Sequence, residues 1–260
     1  MADLRNYQSR VGANAQTQAG AVIDEGLRSY MLRVYNLMAL GLAITGFAAL
    51  GTIMMTVTKD PSSAAATLQN GMMLTHAGVV LYGSPLRWVV MFAPLALVFY
   101  MSFRIQHMSV TAAQTTFAIY AALMGLSLSS IFLVFTGASI TQTFFVTAAS
   151  FGALSLYGYT TKRDLSAMGS FLIMGVFGLV IAMLVNIFLQ SSALSFAISV
   201  IGVLIFAGLT AWDTQQIKEM YYEGDSNVVA GQKAIMGALR LYLDFINLFM
   251  FLLQFLGNRR

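Results

Sequence analysis

Hydrophobic positions along this chain gather into long runs that carry little charge. A helix that crosses a bilayer needs roughly 20 apolar residues. Seven runs approach this length: Val34–Val57, Arg87–Phe103, Val110–Phe135, Ile140–Tyr159, Met168–Leu189, Leu194–Trp212 and Leu239–Leu256. The pattern therefore predicts an all-α membrane protein with seven transmembrane helices.

The number of crossings and the chain ends need separate consideration. Pro94 interrupts the second run, and a proline is tolerated in a spanning helix where neighbours satisfy the freed carbonyl group. Six spans with a re-entrant last segment are the alternative. The apolar stretch Gly71–Gly83 is too short to cross, so we expect it at the interface or in the first loop. Residues 1–30 are polar and predict a mobile N-terminal tail, which leaves residues 31–260 as the transmembrane domain.

The composition excludes most other classes of protein. Of 260 residues, 58% are hydrophobic and 9% are charged, whereas a soluble domain carries about 25% charged residues. The chain has no cysteine, so neither a disulfide framework nor a thiolate metal site can form. Its basic residues flank the apolar runs and form no stripe, so we expect a lipid bilayer and no nucleic acid as partner. Phosphate-binding glycine loops, zinc-protease motifs and nucleophile elbows are missing, so we expect no enzyme, no catalytic residue and no cofactor.

The distribution of lysine and arginine predicts the orientation. If the N-terminus is cytoplasmic, ten of the 14 basic residues lie on the inner side and four on the outer side. The inner set is Arg5, Arg10, Arg28, Arg33, Arg104, Lys162, Arg163, Lys218, Lys233 and Arg240. The outer set is Lys59, Arg87, Arg259 and Arg260. Because basic residues concentrate on the cytoplasmic side of membrane proteins, this asymmetry predicts a cytoplasmic N-terminus and an external C-terminus.

Two acidic residues stand within or beside the last two apolar runs. Asp213 closes the sixth run, and Asp244 lies in the seventh, where no charge follows from Phe245 through Gly257. The predicted topology sets both acids in the cytoplasmic half, on adjacent helices of one hairpin. An ionisable residue inside a span is costly, so both acids are candidate functional residues.

Several arrangements of charge are compatible with this spacing. Two carboxylates close together in a low-dielectric site cannot both ionise cheaply, so such a pair titrates as a unit and could sense pH or attract a hard cation. Alternatively, Arg240 lies one turn before Asp244 and could form an intrahelical ion pair, while Asp213 could be a solvated acid near Lys218. Arg104 follows the second run, where it could extend to the interface or reach an acid.

Three blocks of sequence resemble a known family. They are SLYGYTTKRDL at Ser155–Leu165, GLTAWDTQ at Gly208–Gln215 and LYLDFINLF at Leu241–Phe249. With these blocks in this order, the chain from about Tyr30 to its C-terminus resembles the Bax inhibitor-1 family, also called the transmembrane Bax inhibitor motif family, in its bacterial inner-membrane branch.

The resemblance implies a fold and two functional hypotheses. It implies seven helices with the last one central and six packed around it. It implies a pH-sensitive calcium leak gated by an aspartate pair, which maps onto Asp213 and Asp244. In the family a basic residue of the second helix holds this pair in the closed state, and Arg104 is the nearest candidate. The second hypothesis is an interaction protein that restrains a membrane-embedded, ATP-dependent protease.

Overall fold

Seven long helices dominate the part of the chain that the computed structural model describes, which is the backbone from Ala2 and the side chains from Glu25 onward. They are α1 (Ala2–Thr56), α2 (Leu86–Arg104), α3 (Val110–Leu128), α4 (Gly137–Thr160), α5 (Ser166–Leu189), α6 (Ser192–Glu219) and α7 (Asn227–Leu256). All seven are long and apolar enough to cross a membrane, which confirms the predicted class. The predicted tail falls mostly before the described side chains, and its mobility stays a prediction.

Helix α7 forms the centre of the bundle. In its most apolar window 72% of the residues are buried, whereas none of the other six described helices exceeds 39%. Helices α1, α3, α4 and α6 pack directly against α7, while α2 packs mainly on α3 and α5 on α6. The central position of the last helix is thus confirmed, with four helices in contact with it and two in an outer layer.

Short polar side chains fix where the helices begin. Ser109, Thr136, Ser191 and Ser226 each precede a helix, and each side-chain oxygen accepts a hydrogen bond from the backbone N–H three residues later. These caps satisfy N–H groups that the first turn of a helix leaves free. Helix α5 ends at Leu189, and the next residue, Gln190, has a φ of 49°, which lies in the left-handed region.

Helices α6 and α7 are longer than their apolar runs. The predicted spans were Leu194–Trp212 and Leu239–Leu256, but α6 continues to Glu219 and α7 begins at Asn227. The added residues include Gln, Lys and Glu, which favour helix even where they do not favour lipid. Both acids therefore lie inside continuous helices. The third predicted span, Val110–Phe135, matches the spanning segment Val110–Val134, within which α3 ends at Leu128 before a short helical turn at Ile131–Val134.

The first loop holds the described β-structure. Strands β1 (Val57–Thr58), β2 (Ala66–Thr67) and β3 (Met73–Leu74) form an antiparallel sheet in the order β1-β3-β2. Helical turns follow at His76–Gly78 and Val79–Gly83. The apolar stretch from Gly71 to Gly83 thus lies in the first loop, as expected.

Contacts at the two ends of the bundle show that α3 and α7 run in the same direction. The C-terminal residues pair with the segment after α3: Arg260 N donates to Val134 O at 2.9 Å and Thr136 N to Asn258 O at 3.1 Å. At the opposite end Gln232 Nε2, near the start of α7, donates to Met108 O at 2.8 Å, just before α3. Because α7 is one continuous helix between these ends, the structure favours seven spans over six spans with a re-entrant last segment. Which end faces the cytoplasm stays a prediction.

Candidate functional site

The two predicted acids meet between α6 and α7. The carboxyl groups of Asp213 and Asp244 lie close enough to interact directly with each other. Asp244 is only 4% exposed, and no N–H or O–H group of the described residues donates to its Oδ2 atom. The side chain of Asp213 is 13% exposed. The site is therefore a carboxyl pair with one member in the interior and the other near the surface.

The register of the α6–α7 hairpin places this pair. Lys233 Nζ donates to Met220 O at 3.0 Å, and a Cβ added to Gly237 would lie 3.0 Å from Ile217 Cγ2. These contacts run in antiparallel order, and one further turn sets Arg240 beside Asp213. Asp244 follows Arg240 by one turn on the most buried helix, and its side chain is buried.

Arg240 forms an ion pair with Asp213. Its Nη1 atom lies 3.9 Å from Asp213 Oδ1, and its side chain is 45% exposed. The intrahelical pair with Asp244 that spacing allows is absent among the described ion pairs, because Asp244 points inward while Arg240 extends to the surface. An ion pair this long and this exposed contributes only about 0–1 kcal/mol.

The other two basic candidates are placed elsewhere. Lys218 Nζ donates to Tyr159 O at 2.9 Å and stands 5.8 Å from the centroid of that ring, so it does not pair with Asp213. Arg104 is exposed at the end of α2 and takes part in neither ion pair of the described chain. Because α2 lies in the outer layer, on α3, the structure does not bring Arg104 to the acids.

A chain of hydroxyl groups ends at Thr214, the residue that follows Asp213 in α6. The hydroxyls of Tyr35 and Ser155 are hydrogen-bonded at 2.6 Å, and those of Ser155 and Thr214 at 3.0 Å. Thr214, next to Asp213, also donates to Thr210 O at 2.7 Å. These hydrogen-bonded hydroxyl groups join α1, α4 and α6.

The sequence alone did not predict these hydrogen-bonded hydroxyl groups. Ser155 and Thr214 lie within two of the family-like blocks, which was the available signal. Gly158, in the same block as Ser155, lets α4 approach α6 so closely that a Cβ there would lie 2.1 Å from Ala211 O.

Apolar side chains close the site on one side. Beyond Asp244, toward the C-terminus of α7, Leu248 is 1% exposed, and Phe251 and Leu252 are also buried. They pack with buried residues of α6, among them Ile205 and Phe206. On the other side Asp213 and Arg240 reach the surface. The carboxyl pair is thus least covered on the side of Asp213 and Arg240.

The pair offers oxygen ligands alone. Carboxylate oxygens suit hard cations such as calcium. Within the residues that the structure describes, no group of three or more His, Cys, Asp or Glu side chains is placed to hold a metal ion. The two carboxyl groups are therefore the groups that could contact a cation at this site.

Comparisons with known proteins agree with the fold. The family described as inhibitor of apoptosis-promoting Bax1 matches residues 27–260. The chain is 49% identical over 244 residues to an uncharacterized protein of Rickettsia prowazekii, covering 94% of this chain and 95% of that protein. It is 46% identical over 257 residues to an uncharacterized protein of Caulobacter vibrioides, covering 98% of each chain.

A further relative carries a location in its name. The chain is 46% identical over 237 residues to the inner membrane protein YbhL of Escherichia coli K12, covering 90% of this chain and 94% of YbhL. The family match over residues 27–260 includes all of the helices from α2 to α7 and the described side chains of α1 from Leu27 onward. This chain is a member of the Bax inhibitor-1 family of membrane proteins.

Proposed function

We propose that this protein is a pH-sensitive cation leak of the bacterial inner membrane, with calcium as the permeant ion and Asp213 and Asp244 as the gate. One observation carries the proposal: the two carboxyl groups contact each other, and an oxygen of the buried Asp244 has no donor from the protein. An ionisable group inside a membrane protein is costly, and in such proteins it commonly marks an ion or proton pathway.

The count of charges supports a shared proton. Two ionised carboxylates are both acceptors, so the two acids can hydrogen-bond to each other only when one of them carries a proton. Arg240 is the cation beside the pair, and at 3.9 Å it can balance one negative charge. A singly protonated pair with Arg240 is therefore close to neutral. Adding or removing one proton changes the charge of the pair in a site that is largely buried, and this makes the pair a pH-dependent gate.

The small number of carboxyl oxygens supports a site that a calcium ion can enter and leave. Calcium takes 6–8 oxygen ligands. Two carboxyl groups provide at most four oxygens, so a calcium ion at the pair would keep part of its water shell. An ion that is bound by few protein ligands can leave again, and conduction requires such weak binding.

The packing beyond Asp244 supports a closed conformation. Leu248, Phe251 and Leu252 are buried on the side away from the α6–α7 loop, and they leave the pair in contact with one end of the bundle. Opening then requires α6 and α7 to shift relative to each other. Repulsion between the two carboxylates when both are ionised supplies the force for this shift.

The test is calcium flux into liposomes that contain the purified full chain, measured across a pH series. We expect flux that varies with pH in the wild type and little variation with pH in Asp244→Asn, because Asn keeps the shape of the protonated acid and cannot titrate.

Asp164→Asn is the matched control. Asp164 lies in the loop before α5, where hydrogen bonds from Ser166 lower the pKa of its carboxyl group. It is thus a charged loop acid at the same end of the bundle as Asp213, and its replacement should leave the pH profile unchanged. Wild-type liposomes without calcium flux at any pH would refute the leak and favour the interaction protein that restrains a membrane protease.

A further inference from the structure

A groove between α1 and α4 lies beside the hydroxyl chain. It encloses about 470 Å³ and is lined by Arg28, Met31, Leu32, Tyr35, Phe151, Gly152, Ser155, Leu156 and Tyr159. The α1 residues recur at intervals of three and four, which places them on one face of that helix. From Arg28 to Tyr35 the groove extends about 10 Å along α1.

The groove has a charged mouth. Arg28 is the basic residue among its lining residues, and Glu25, one turn earlier on α1, is not among them. Lys218 stands 5.8 Å from the ring centroid of Tyr159 at the same end. Loop residues 162–164 follow α4 directly and carry two basic side chains against one acid. The mouth therefore favours an anion.

The walls and floor of the groove differ from its mouth. Met31, Leu32 and Leu156 give the groove apolar walls, and the hydroxyls of Tyr35 and Ser155 stand at its floor. Positive charge at one end and apolar surface along the length match an amphiphile with an anionic headgroup. Basic residues of the cytoplasmic surface attract the anionic lipids of that leaflet, and the predicted orientation places this mouth on the cytoplasmic side.

We propose that this groove is a binding site for one anionic phospholipid, with its phosphate at Arg28 and an acyl chain along Met31, Leu32 and Leu156. The bound chain covers the Tyr35–Ser155 hydroxyl pair, which links the groove to Thr214 beside the acid pair. The site stands independently of the cation leak, because lipid binding is measured without ion flux.

Gly152 provides a variant that fills the groove at little cost to the fold. A Cβ added there meets nothing within 4 Å, so Gly152→Leu projects into open space between α1 and α4. Gly51→Leu is its matched control, since a Cβ at Gly51 on α1 also meets nothing within 4 Å and Gly51 lies outside the groove. Arg28→Gln removes the charge and keeps most of the side-chain length.

The experiment is native mass spectrometry of the delipidated full chain in detergent, titrated with phosphatidylglycerol or phosphatidylcholine. We expect one tightly bound phosphatidylglycerol per wild-type chain, about fivefold weaker binding in Arg28→Gln, and loss of the tight lipid in Gly152→Leu. Phosphatidylcholine should bind weakly and be insensitive to Arg28→Gln, and Gly51→Leu should behave as wild type. Equal binding of both lipids to the wild type, or tight phosphatidylglycerol retained by both groove variants, would overturn the proposal.

Discussion

Replacing Gly158 with alanine tests the close packing of α4 against α6 beside the acid pair. A Cβ at this position would lie 2.1 Å from Ala211 O and 2.9 Å from Ala211 C. Both atoms belong to the backbone of α6, so no side-chain rotation relieves the contact. The two helices must separate by roughly 1 Å to reach ordinary van der Waals distance.

Two opposing effects set the expected magnitude. Overpacking of a well-packed interior costs typically about 1–3 kcal/mol. Alanine favours the helix over glycine by up to about 1 kcal/mol. We therefore expect a net loss of roughly 1–2 kcal/mol in the free energy of unfolding. The separation also stretches the 3.0 Å contact between Ser155 and Thr214, so the pH profile of any flux should change in the same variant.

Gly152→Ala is the control on the same helix. A Cβ at Gly152 meets nothing within 4 Å, so this change keeps only the gain in helix propensity. The assay is reversible unfolding in mixed micelles, followed by circular dichroism, for the wild type and both variants. We expect Gly158→Ala to be less stable than the wild type and Gly152→Ala to be at least as stable as the wild type. Equal stability of the two alanine variants would refute the account of the α4–α6 contact.

Three further predictions concern the ends of the chain. Ser139→Ala removes the oxygen that accepts a hydrogen bond from Asn258 N at 2.9 Å, so thermal unfolding should show a loss of about 1 kcal/mol; an unchanged midpoint would show that this end is not held by the bond. Reporter fusions at Arg260 and at Lys162 should indicate opposite sides of the membrane, with Lys162 cytoplasmic, and the reverse result would overturn the predicted orientation. Deletion of residues 1–24 should leave the purified protein monodisperse in detergent and any flux unchanged, because their polar composition cannot form a packed core.

The sequence was sufficient to predict the spans because length and hydropathy alone decide whether a helix can cross a bilayer. The ends of α6 and α7 were wrong by up to a dozen residues, since polar residues such as Gln216 and Lys218 end an apolar run without ending a helix. The break between α3 and the turn at Ile131–Val134 was missed for the opposite reason, as an apolar run continues through it.

The antiparallel hairpin predicted that Asp213 and Asp244 lie on adjacent helices, which allows their contact but does not determine it. The ion-pair partner of Arg240 could not be predicted, because a long side chain can reach an acid on its own helix or an acid on a neighbouring helix. The register of α6 against α7 is what brings Asp213 within ion-pair distance of Arg240. The contact between Tyr35 and Ser155 joins residues 120 positions apart, and no local pattern encodes it.

The most direct test of the gating proposal compares four proteins in liposomes: the wild type, Asp213→Asn, Asp244→Asn and the double variant. Calcium flux is measured for each across one pH series. If the two acids share a proton, either single change alters the pH response about as much as the double change, because coupled groups are non-additive. Effects of the single variants that add to the double within about 0.5 kcal/mol would show two independent acids and contradict the shared gate.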